Sequence, residues 1–169
     1  MIDGDANVEA GRTIETEEVS VDAAASDMDL VGRLLSISKS TRALSGLLLK
    51  KIDLVVGQDQ LLDALHHKTP ISVSAVSIAL NVRPSTISKM TDRLVLKGLV
   101  ERSDKLGDAR ISELRLTPAG VVKRAEVHYV WARLEEEISG APEVVAEREI
   151  ASALGVIDAV LTKRLSRLR

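Results

Sequence analysis

The sequence predicts a mainly α chain with a small β component (α+β), built as a winged helix-turn-helix lobe with a helical dimerisation region from the N- and C-terminal helices. Three observations predict it. Two short helical patterns meet at a turn at Asn81-Val82, two β-rich runs follow at 99–103 and 111–116 around a charged loop, and long amphipathic helical patterns flank the whole.

Residues 1–27 hold eight acids against one Arg and show no sustained apolar period, which predicts an acidic flexible tail. Two readings of this tail stand: a solvated terminus, or an acidic arm that competes for a basic surface elsewhere in the chain. From Asp29 to about Asp53, Leu30, Leu34, Ile37, Leu44, Leu48 and Ile52 recur at three- and four-residue steps, the pattern of one long amphipathic helix. A second helix is expected from Gln58 to His67 after Gly57, with Leu61, Leu62 and Leu65 inward. Ser72 supplies an N-cap for a third, Val73 to Leu80.

The fourth helix runs from Pro84 to Lys97 and ends at Gly98. Ile87, Met90 or Thr91, and Leu94 form one face; Ser85, Ser88, Lys89 and Asp92 form the other, at i, i+3, i+4 and i+7. After the hairpin, Thr117 as N-cap and Pro118 at the first helical position open a fifth helix that runs to about Ser139. Gly140-Ala141-Pro142 breaks it. A sixth, Glu143 to Leu168, carries Ile150, Leu154, Ile157, Leu161, Leu165 and Leu168 as a seam that a single copy leaves wet. The expected division is therefore a tail over 1–27, a dimerisation region from 28–56 and 118–169, and a lobe over 57–117.

Composition narrows the function. The 169 residues fit one domain-sized unit, and 45% hydrophobic content with 1% aromatic predicts an aliphatic core. Cysteine is absent, which excludes disulfides, thiolate metal sites and thiol redox switching. No apolar run is long enough for a membrane span, and the acidic N-terminus does not read as a secretory signal, so a cytoplasmic location is expected. His66, His67 and His128 are too scattered to define a metal site, and no activated nucleophile, paired-carboxylate site or phosphate-binding Gly loop is readable. The expectation is no enzyme and no cofactor.

The net charge of −2 conceals an uneven distribution. Between His66 and Arg124 there are eleven Lys or Arg against five Asp or Glu. Phosphates respond to that local excess, because charges are screened beyond about 8 Å at physiological salt. A helix-turn-helix with a basic hairpin fits one helix to a DNA major groove and the hairpin to the adjacent minor groove. Ser85, Thr86, Ser88 and Lys89 suit base edges and phosphates, with Arg93 beside them. Arg83 has two open readings, a phosphate contact and a plain surface arginine. In the hairpin, Arg110 is the expected minor-groove finger, Asp108 its orienting partner, and Arg102, Lys105 and Arg115 phosphate contacts. Tyr129 and Trp131 point in different directions from the fifth helix, so one of them is expected to pack in the core or a dimer contact.

The run PISVSAVSIALNVRPSTISKMTDRLVLKGLVERS, the wing DARISELRL and the closing Leu116-Thr117-Pro118-Ala119-Gly120 resemble the MarR family of bacterial transcription regulators, in one register over about fifty residues. Arg83 departs from the family's Asp before Pro-Ser-Thr, and Asn81 from its usual turn Gly. The resemblance implies a homodimer interlocked through first, fifth and sixth helices, binding a pseudopalindromic operator on double-stranded DNA, most often as a repressor. It further implies a small phenolic or acidic effector held between the dimerisation helices and the lobe. That position maps to Thr41 and Ser45 with Leu61, Leu62 and Leu65; capping of the helix backbone accounts for the two hydroxyls equally well. The alternative from another class is a winged-helix protein-interaction subunit without specific DNA binding.

Overall fold

The structure, a computed structural model, describes residues 29–105, 108–140 and 147–168, with the side chains of 104–111 outside the description. The expected acidic tail and the Ala141-Pro142 part of the helix break lie outside the described residues. The chain divides into two units, 1–38 and 39–169. Of the first, the described part is the opening of helix α1, Leu30–Lys50, where Leu30 is 61% and Ile37 50% exposed.

Helix α1 ends three residues before the expected Asp53. The amides of Lys51, Ile52 and Asp53 bond three residues back, and Asp53 turns to a φ of 58°, so the ladder tightens and closes. Leu49, not the expected Leu48, enters the core at 0% exposure. Lys97 donates to the backbone carbonyl of Asp53 and lies 2.8 Å from its carboxylate, which holds that carboxyl below the ordinary carboxylate range.

Helix α2 spans Gln58–Ala64, shorter than the expected run to His67. The reason is competition for its last carbonyls. Leu65 is extended and its C=O accepts from Arg124 Nη1 at 2.9 Å, while the C=O of His66 accepts from the Leu116 amide at 3.0 Å. At the other end Gly57 takes a φ of 96°, and the Asp59 carboxylate accepts from its amide at 2.8 Å.

A two-residue strand β1, Ile71–Ser72, was not expected; it leads into helix α3, Val73–Ala79, whose Ala75 amide donates to Ser72 Oγ at 3.2 Å. Helix α4 is Pro84–Leu96. Strands β2, Val100–Lys105, and β3, Asp108–Leu116, extend beyond the expected runs and form an antiparallel sheet of order β1-β3-β2. Register pairs Val100 with Leu116 and Arg102 with Leu114, then shifts between Asp104 and Lys105. Leu114 and Leu116 turn inward onto Leu61, Leu62, Val76, Ile87 and Leu94 in one aliphatic core.

Helix α5 is Pro118–Ser139, as expected, and its entry explains the Leu-Thr-x-x-Gly motif physically. Thr117 Oγ1 accepts from the Gly120 amide at 2.9 Å and donates to the Gly98 carbonyl at 2.7 Å. A Cβ at Gly120 would lie 1.9 Å from the Leu99 carbonyl oxygen, so only glycine lets α5 start this close to the strand. Helix α6 is described over Glu147–Ser166; its expected opening at Glu143 lies outside the described residues, and it ends before Leu168. It buries none of its residues: Leu161 is 57% and Leu165 39% exposed. Among the described residues no helix is long and apolar enough to cross a membrane.

Candidate nucleic-acid interface

The helix-turn-helix is held by its turn. Asn81, the expected turn residue, sits at a φ of 53° in the left-handed region, and Ser77 Oγ donates to the Val82 carbonyl at 2.5 Å across the bend. This sets α3 under α4 and turns one face of α4 outward. Ile87, Thr91 and Leu94 are each 0% exposed, so Thr91 occupies the buried position for which Met90 was the other candidate. The opposite face carries Ser85, Thr86, Lys89 and Asp92 in the open, with Ser88 half-buried.

The first turn of α4 has no side-chain cap. Arg83 stands at the N-cap with its side chain making no cap bond, and its carbonyl accepts from the Thr86 and Ile87 amides. Pro84 carries no N–H and Thr86 and Ile87 already donate to Arg83, so the Ser85 amide is the donor of that turn offered to an anion, at the positive end of the helix dipole.

Ion pairing separates the predicted cations into two groups. Among the described residues, Arg83, Lys89 and Arg93 have no ion-pair partner, and all three are exposed. Arg102 lies 3.1 Å from Asp92, tying β2 to the outer face of α4, and Arg115 grips Glu101 through Nε at 2.8 Å and Nη2 at 2.7 Å. A phosphate must compete with a carboxylate for the second pair and has no competitor for the first three. Replacing Arg102 with Ala should change stability by less than about 1 kcal/mol, as exposed pairs do, checked by urea unfolding against wild type. The side chains of Lys105, Asp108 and Arg110 lie outside the described residues; the backbone places Asp108 and Arg110 on β3 near the hairpin end.

The residues expected to hold an effector do not gather around one opening. Leu61, Leu62 and Leu65 are fully buried in the core and present no surface to a ligand, Ser45 is half-buried and Thr41 exposed. A cavity of about 240 Å³ lies instead between the end of α1 and α5, lined by Leu48, Lys51, Ile52, Tyr129, Val130, Arg133 and Glu137. Of the two aromatics, Trp131 packs against the core and Tyr129 is 68% exposed.

Besides Ser77, two buried polar residues at the start of α2 went unpredicted. Gln58 Oε1 accepts from the Val55 amide at 3.2 Å, and the second carboxylate oxygen of Asp59 accepts from Trp131 Nε1 at 3.2 Å, joining α2 to α5. Their place directly after Gly57 was the available signal, since a carboxylate two residues past a helix-opening glycine caps the turn. His67 lies 3.0 Å from the Leu116 carbonyl and His128 2.6 Å from Asp63. Among the described residues no group of three or more His, Asp or Glu could hold a metal ion.

Comparison with known proteins agrees with this geometry. Residues 57–112 match the MarR family. The chain is 28% identical over 96 residues to the HTH-type transcriptional regulator YhbI of Bacillus subtilis (strain 168), covering 56% of this chain and 62% of that protein. It is 30% identical over 102 residues to the HTH-type transcriptional repressor IacR of Pseudomonas putida, covering 60% of this chain and 61% of that protein. The chain thus spans about three fifths of the length of these curated relatives. A mutant MarR from E. coli in complex with operator DNA superposes with a TM-score of 0.66 at 25% identity, covering 79% of this chain and 99% of that one. The MarR protein from Peptoclostridium difficile superposes at 0.75 over 96% of this chain and 100% of that one; at 15% identity it speaks for the fold alone. The match over residues 57–112 and the superposition that continues beyond it make the chain similar to MarR-family regulators across its lobe and in its overall fold.

Proposed function

We propose that this chain is a transcription regulator, not an enzyme, that binds a pseudopalindromic promoter site on double-stranded DNA as a cytoplasmic homodimer and represses from it. The observation that carries the reading is α4: a helix fixed by a fully buried face whose other face offers hydroxyls and cations with no ion-pair partner among the described residues. The related E. coli MarR in complex with operator DNA supports DNA as the partner, and the repressor named among the relatives supports the sign of regulation. The wet apolar residues of α1 and α6 support a second copy. Two copies related by a two-fold axis present two recognition helices to half-sites roughly 34 Å apart. A response to a small phenolic or acidic effector is supported by the α1–α5 cavity, where Lys51 and Arg133, with Glu137, stand beside Tyr129. Such a ligand acts by favouring lobe spacings that no longer match the half-sites.

Lys89→Ala should cost about 1–3 kcal/mol at the preferred operator and less on random DNA, because it removes a base-edge contact. Arg110→Ala should weaken operator binding and lower its salt slope, with reduced preference for A·T pairs beneath the wing and unchanged base choice in the major groove. Asp108→Ala should be milder than Arg110→Ala, and the double variant no worse than Arg110→Ala alone. Operator affinity against salt checks all three. Wild type that shows no operator-specific binding, or only weak DNA binding without a steep salt slope, would favour the protein-interaction alternative.

A further inference from the structure

We propose that Asp92 is a positioning residue for DNA binding, whose carboxylate fixes the Arg102 guanidinium between the recognition helix and the hairpin so that its open edge meets a phosphate. The inference rests on the regulator reading and deepens it. Asp92 is the one acid of α4, on the outer face that carries Ser85 and Lys89, seven and three residues before it. On plain electrostatics a carboxylate on that face repels DNA. Nor is its partnership a major support of the fold, since the side chains of Asp92 and Arg102 are 58% and 35% exposed and exposed pairs contribute little to stability.

The two paired arginines of the sheet differ in what their partners leave open. Directly opposed residues of antiparallel strands share a face of the sheet, and Arg102 stands opposite Leu114, Arg115 opposite Glu101. Leu114 is 0% exposed in the core, so Arg102 leaves β2 on the helix-covered face and reaches the edge of α4, whereas Arg115 and Glu101 leave on the other face. Glu101 takes Arg115 at both Nε, 2.8 Å, and Nη2, 2.7 Å, which occupies one whole edge of that guanidinium. Asp92 takes Arg102 at Nη1 alone, 3.1 Å away. Among the described residues the Nε and Nη2 of Arg102 have no ion-pair partner. A guanidinium is a rigid planar fork, so a carboxylate at one end aims the donors that remain. The long side chain is then partly ordered before DNA arrives, and less rotamer freedom is lost at binding. A phosphate thus displaces nothing to bond Arg102, whereas at Arg115 it must displace a bidentate carboxylate.

The experiment selects DNA from a random pool with the wild-type full chain and measures affinity for that DNA against salt. Removal of a negative charge with no other consequence tightens binding; loss of an aimed arginine does the opposite. Arg102→Ala is expected to weaken binding about tenfold at physiological salt and to lower the salt slope by about one. Asp92→Ala is expected to weaken it about fivefold and to lower the slope by less, although it makes the chain more positive. The double variant should be no weaker than Arg102→Ala, because the two residues act as one unit. Asp92→Asn keeps an acceptor oxygen for Nη1 without the charge and should recover most of the loss. Both positions are exposed, and urea unfolding of each variant verifies the fold. Asp92→Ala that binds as tightly as wild type or tighter, or losses that add in the double variant, overturns the proposal and leaves the regulator reading intact. Wild type that selects no DNA overturns both.

Discussion

Gly120→Ala should destabilise the chain by about 3 kcal/mol or more, a fall of roughly 10 °C in melting temperature. A methyl at this position would lie 1.9 Å from the carbonyl oxygen and 3.0 Å from the carbonyl carbon of Leu99, backbone atoms with little room to yield. That carbonyl also accepts the Thr117 amide at 3.1 Å, so moving it breaks the junction that starts α5. Thermal and urea unfolding measure the loss. A variant within 1 kcal/mol of wild type would mean that α5 and the strand do not approach as closely as described. Operator binding should fall with it, since the hairpin and the long helix are joined at this point.

Leu94→Ala should cost about 2–5 kcal/mol, the range for deleting a buried leucine whose surroundings cannot collapse fully into the cavity. Leu94 is 0% exposed beneath the recognition helix, and its carbonyl accepts the Leu99 amide at 2.9 Å where the chain turns into β2. Leu96, two residues on, is 88% exposed, and Leu96→Ala should change stability by no more than about 0.5 kcal/mol. Urea midpoints at unchanged slope decide both. Equal effects from the two leucines would show that the faces of α4 are assigned wrongly.

The two faces of α4, the Asn81 turn, the Ser72 and Thr117 caps and the start of α5 at Pro118 were legible in the sequence because each rests on a local rule of period or capping. What was not legible depends on partners distant in sequence. Strand β1 has two residues and exists because Leu114 and Glu113 lie opposite them. The end of α2 is decided by Arg124 and Leu116, some fifty residues away, which no window over His66 contains. Leu49 displaces Leu48 from the core because one residue along a helix is a rotation of about 100°, finer than spacing alone resolves. Of the site, composition and helix face identified the exposed cations, whereas the pairing of Arg102 with Asp92 and of Arg115 with Glu101 needed the sheet register.

Arg83 in place of a capping acid leaves the first turn of the recognition helix incomplete in the free protein. Under the regulator reading, the group that completes it is the operator's own phosphate, so a donor left open in the free chain is satisfied only at binding. A side-chain cap would occupy that donor before the encounter, whichever duplex was met. Here that donor is satisfied only by DNA that brings a phosphate to the N-terminus with the other contacts in register. Under the same reading, the missing cap would favour the fitted site over the competing sites of a genome, which outnumber it by many orders of magnitude.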